Sequence, residues 1–162
     1  MVALIVITVL AFLHVVSAMG WLGGGVLILS AVTPGIRSMS PATLLEFSTK
    51  VGPKINRFFI GSASATIIFG LALLGAMGMP NINTVYAGAG IGLLAYLDGM
   101  LVAIRSFRKA DRLAQEAIAS GHTGPPPREM LAALKRGGIG TMTGVLLLVI
   151  AAALMVASGF PF

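Results

Sequence analysis

The sequence predicts an all-α integral membrane protein, a four-helix bundle forming one domain over residues 1–162. Three observations predict it. The chain is 57% hydrophobic and only 10% charged, whereas about 25% of residues are charged in a soluble domain. Its mean hydropathy is +0.98. Four stretches each reach the ~20 mainly apolar residues that a helix needs to cross hydrocarbon. No polar stretch is long enough to hold a second core. Cysteine is absent, which excludes disulfides, thiolate metal sites and cysteine catalysis.

The first span covers about 2–30. It lacks a basic leading segment and runs past signal-peptide length, so it reads as a retained helix, long enough to tilt or protrude. In the loop that follows, 31–56, Ser40-Pro41 supplies an N-cap and a proline at the first helical position. That predicts a short helix to about Lys50. The second span covers 57–79, and residues 78–84, with Pro80 and Asn81, predict a tight turn between antiparallel helices. The third span covers 84–104. Residues 105–119 continue it beyond the membrane, with Arg112 and Glu116 spaced for an i,i+4 pair. The Gly/Pro run 121–127 ends that helix. A second short helix near 128–136 leads into the fourth span, 138–158.

All eleven Lys and Arg lie in or beside two loops, 31–56 and 105–137. In or beside the first lie Arg37, Lys50, Lys54 and Arg57; in the second lie Arg105, Arg108, Lys109, Arg112, Arg128, Lys135 and Arg136. The positive-inside rule puts both loops in the cytoplasm and both termini outside, in a multi-pass protein of the cell membrane. The net charge of +6 is thus a topology signal and not a nucleic-acid footprint. The basic loops read as a solvated face against anionic lipid headgroups or as a docking surface for a soluble partner.

Glycines recur four apart at Gly20 and Gly24, Gly88 and Gly92, and Gly140 and Gly144. Gly88, Gly92, Ala95 and Gly99 form one small-residue stripe. Such stripes let helix backbones approach closely in lipid, so these glycines predict helix–helix packing and an oligomer face.

Polar groups at depth are few. His14 and Asp98 each lie about thirteen or fourteen residues inside their spans, ~20 Å from the outer surface at 1.5 Å per residue. A His14–Asp98 pair is therefore possible, with the carboxylate orienting the imidazole as partners of metal-bound histidines do, or with the two passing a proton. The plainer alternatives stand beside it. His14 would bond a backbone carbonyl or the hydroxyl of Ser62 or Thr66, and Asp98 would pair with a snorkelling Arg105 or Arg57. Trp21 follows His14 by two helical turns on nearly the same face and suits the bundle interior or inner interface. Nine methionines offer soft ligands for Cu(I), but they are scattered, with only Met77 and Met79 forming a local pair, and read as packing. One buried histidine excludes bis-histidine haem within a single chain. Haem b would need five-coordination, a methionine such as Met100, or a site between subunits. His122 falls in the Gly/Pro loop and reads as solvated. No catalytic residues are identified: there is no phosphate loop, serine triad, HExxH or paired carboxylate.

The run from His14 to Gly24, a histidine followed seven residues on by Trp21-Leu22-Gly23-Gly24, resembles the first helix of the copper-resistance protein D family and of related four-helix prokaryotic membrane proteins. Arg57-Phe58 opening the second span, and the small-residue helix through Ile68-Phe69-Gly70-Leu71, extend the resemblance over roughly residues 10–75. It implies a protein of the prokaryotic cytoplasmic membrane with a role in copper handling and His14 as a copper ligand. Larger members carry further helices and metal-binding residues that this chain lacks, which argues against transport by one chain alone.

Three functions follow in order of support. The first is a non-catalytic subunit or assembly partner of a larger respiratory or metal-dependent membrane complex. The second is a copper- or haem-binding membrane protein using His14. The third is a small-solute or proton transporter assembled as a homo-oligomer.

Overall fold

A computed structural model describes residues 2–78 and 83–158, which are helical apart from short connections. Helix α1 (Val2–Leu27) passes through a π-helical turn (Ile28–Val32) into α2 (Thr33–Ser38). Helix α3 (Pro41–Lys50) and helix α4 (Gly52–Ala76) follow. Helix α5 (Asn83–Asp98) passes through a second π-helical segment (Gly99–Ile104) into α6 (Arg105–Ala119), and α7 (Arg128–Ala157) completes the chain. Four continuous helical rods are long and apolar enough to cross a membrane: Val2–Ser38, Gly52–Ala76, Asn83–Ala119 and Arg128–Ala157. The centre of the 78–84 turn, and Met79 of the Met77–Met79 pair, lie outside the described residues.

The first and third rods have 37 residues each. At 1.5 Å per residue they reach ~55 Å, well beyond ~30 Å of hydrocarbon. The excess of the third rod is α6, which carries Arg105, Arg108, Lys109, Asp111, Arg112 and Glu116. A segment so charged stands outside the hydrocarbon. Its apolar face packs with α3 and the start of α7 around Leu44, Leu45, Ala110, Ala114 and Met130. The basic end of the bundle therefore has its own small core.

Local chemistry sets the element ends. Ser40 caps α3 by accepting the Thr43 backbone N–H at 3.2 Å, with Pro41 at the first helical position. Helix α6 ends on Gly121 at φ +67°. The His122 N–H bonds the Ala117 carbonyl and the Gly121 N–H bonds that of Ile118, each at 3.0 Å. This is a Schellman closure, which needs a residue in the left-handed region. Pro34 lies four residues after Ser30; its missing N–H and its ring displace the regular helical bonding there, and the π-helical turn Ile28–Val32 sits at that place. The short helix expected at 128–136 is instead the first part of one 30-residue helix, α7. Gly137 and Gly138 do not interrupt it, because Phe107 packs on Gly137: a Cβ there would come within 2.7 Å of the ring.

The bundle is two tight pairs, α1 with α4 and α5 with α7. Gly20 and Gly24 receive the rings of Phe58 and Phe59, which would lie 3.1 Å from a Cβ on Gly24. Gly88 faces Met155 and the Ala151 carbonyl, at 3.0 and 3.1 Å from such a Cβ. Gly140 faces the Ala103 backbone nitrogen at 3.1 Å on the same measure. Gly92 and Gly99 have open space where a Cβ would go, and Gly144 meets only the Asp98 carboxylate, at 3.7 Å. The third-span stripe thus makes its close contacts at Gly88 and the fully buried Ala95.

Gly140→Leu should therefore force α7 off the second π-helical segment and cost ~1–3 kcal/mol. Gly90→Ala, at a position with open space, should be neutral or stabilise by up to about 1 kcal/mol. Thermal unfolding of both variants in detergent checks the contrast; equal melting temperatures would refute the packing assignment at Gly140.

Candidate functional site

His14 is fixed by α4. Its Nδ1–H donates to the Thr66 backbone carbonyl at 2.9 Å, and since a carbonyl can only accept, Nδ1 carries the proton. The ring lies against Gly70, where a Cβ would fall 2.8 Å from Cε1 and 2.9 Å from Nδ1. Gly70 is thus what lets an imidazole reach the α4 backbone. Thr66 in turn donates its hydroxyl to the Ser62 carbonyl at 2.8 Å. Of the bonding modes open to His14 in the sequence, the backbone-carbonyl one is present.

Asp98 is elsewhere. Its Oδ2 is buried beside Gly144 of α7 and has no hydrogen-bond partner among the described residues. The three ion pairs among those residues are Lys50–Glu46, Lys109–Glu129 and Arg112–Glu116. Asp98 therefore bonds neither His14, Arg57 nor Arg105. Equal depth did not bring His14 and Asp98 together, because His14 turns toward α4 and Asp98 toward α7.

Trp21 and Met100 do meet, in the core of the bundle with Ala63 and Ala95. The indole stands edge-on to Tyr96 at 6.3 Å and 87°, and the Tyr96 hydroxyl bonds that of Ser64 at 3.2 Å. The cavity beside them holds ≈ 50 Å³, far below the roughly 300–1,000 Å³ of small-molecule sites. Among the described residues no three His, Asp or Glu side chains gather as a metal site. His122 is exposed and its Nε2–H donates to the Pro125 carbonyl at 2.7 Å.

The most site-like feature lies away from His14 and Asp98. Asn56 and Asp111 are 5% and 8% exposed, and the Asn56 Nδ2–H donates to Asp111 Oδ2 at 3.0 Å. Gly52 at the start of α4 makes room for the carboxyl, whose Cγ would be 3.1 Å from a Cβ there. Burial pushes the Asp111 carboxyl up to about 6, with the Asn56 bond opposing it. The pair lies on the wall of a cleft of ≈ 530 Å³ that Arg37, Ser48, Phe107 and Lys135 also line. A signal was available: Asp111 falls four residues after Phe107 and three before Ala114, on the apolar stripe of α6. Comparison with protein-family models, with curated proteins and with solved structures found no match.

Two outcomes follow. Gly70→Ala should displace the His14 ring and destabilise the protein about as much as His14→Ala, by ~0.5–2 kcal/mol, with no further loss in the double variant, as double-mutant unfolding would read. For Asp111, the folded chain keeps the carboxyl proton up to about pH 6, whereas an unfolded chain releases it near 4. The folded state thus binds more protons in that window, and stability falls as pH rises through it. Asp111→Asn should flatten this slope and leave the protein more stable than wild type above pH 6, as melting curves from pH 4 to 8 would report.

Proposed function

We propose that this protein is a non-catalytic helical subunit or assembly partner of a larger membrane complex, with the basic loops at the cytoplasmic face of the cell membrane. The observation that carries this reading is the use made of polar groups at depth. His14, Ser64, Thr66 and Tyr96 bond helix to helix or within a helix, where they strut the bundle. The cavity beside Trp21 and Tyr96, at ≈ 50 Å³, is well below the size of a small-molecule site. Extraction in mild detergent should yield this chain with other membrane proteins at fixed stoichiometry. A monodisperse monomer or pure homo-oligomer would sink the reading.

One observation favours a second reading, in which His14 is a copper or haem ligand. With Nδ1–H anchored on a carbonyl, Nε2 keeps its lone pair and a fixed direction, as in ligating imidazoles held by a backbone partner. The resemblance of the His14–Gly24 run to the copper-resistance protein D family agrees with it. The group would sit against the outside of the bundle or between chains. Metal analysis and visible absorption of the native complex test this: copper or a Soret band should be present and lost in His14→Ala. Colourless, copper-free protein removes it.

A further inference from the structure

We propose that the cleft at the basic end binds a phospholipid with a primary-ammonium headgroup, Asp111 taking the ammonium, Arg37 and Lys135 the phosphate. The cleft, at ≈ 530 Å³, is within the roughly 300–1,000 Å³ of small-molecule sites. Its lining changes character along its length. The first rod contributes Ile28 and then Arg37, and α7, running the other way, contributes Met142 and then Lys135. Both helices therefore present apolar side chains toward the membrane-spanning part and a cation toward the basic end. An amphiphile with its tail in the bilayer would meet that order.

Charge selects the headgroup. Glu46, Glu116 and Glu129 each pair with a Lys or Arg at the surface. Asp111, buried in the cleft wall, has Asn56 and no cation among the described residues. A buried carboxylate is costly without a charged partner, and a primary ammonium brings charge and three N–H donors. A quaternary ammonium brings charge without donors, and an anionic headgroup brings like charge to Asp111. Exposed Arg37 and Lys135 alone would accept any phosphate, so discrimination among headgroups rests on Asp111.

The test reconstitutes the full-length protein in nanodiscs of equimolar phosphatidylethanolamine, phosphatidylcholine and phosphatidylglycerol with identical acyl chains, and identifies retained lipid by native mass spectrometry. Wild type should keep phosphatidylethanolamine roughly ten-fold over the other two, the worth of ~1.4 kcal/mol, and Asp111→Asn should lose that preference. Arg37→Ala with Lys135→Ala, both at exposed positions, should lower retention of all three lipids. Equal retention by wild type, a preference for phosphatidylglycerol, or a preference unchanged in Asp111→Asn overturns the proposal. So does retention unaffected by the double alanine variant, or crosslinking from a photoreactive residue at Ile139, which also lines the cleft, to a protein segment instead of to lipid.

Discussion

Close approach of helix backbones, in a medium that supplies no hydrophobic drive between helices, is the constraint on which the rest of this structure depends. Every backbone polar group in hydrocarbon must be satisfied within its own helix, so only side-chain packing and a few interhelical bonds can hold helices together. Two pairs meet that demand. Between α1 and α4, Gly20 and Gly24 take up phenylalanine rings and Gly70 takes up an imidazole. Gly88 brings α5 into direct contact with α7, and Gly140 does the same for α7 and the second π-helical segment. His14 belongs to this scheme: its bond to Thr66 replaces water that hydrocarbon does not provide.

The same constraint explains where space is left. A π-helical turn widens a helix and disturbs its packing register, and such turns recur at functional sites. Residues of both π-helical segments border the cavities, Ile28 and Val32 on the cleft, Gly99 and Met100 on the internal cavity. Below them the bundle closes around Trp21, Ala63 and Ala95. Above them α3, α6 and the start of α7 close around Met130. The cleft lies where the membrane core gives way to this second, smaller core, and its lining combines apolar side chains with a buried carboxyl and two exposed cations.

Much of the site was hidden from the sequence for identifiable reasons. His14 announces itself, because an imidazole inside an apolar run must find a polar partner there. Asp111 does not, because it sits among Arg108, Lys109 and Arg112 and looks like one more charge on a solvated helix. Its burial needs Asn56, fifty-five residues away, and a glycine at 52 to make room. Depth alone suggested His14 with Asp98, but depth is one coordinate, and the direction each side chain takes around its helix is another.

Composition and run length by themselves determined four membrane-crossing helices, since hydrocarbon admits only long apolar helices at this charge content. Local residue chemistry determined the Ser40 cap, the α6 terminus at Gly121 and the Arg112–Glu116 pair, each settled within a few residues of chain. Tertiary structure alone decided which helices pair, that 128–136 fuses with the fourth span, that His14 faces Thr66, and that Asn56 and Asp111 meet in a cleft. Those outcomes depend on rotation and translation of whole helices against one another, and in lipid nearly uniform apolar faces leave these to shape: where a glycine opens a gap, and which side chain from another helix fills it.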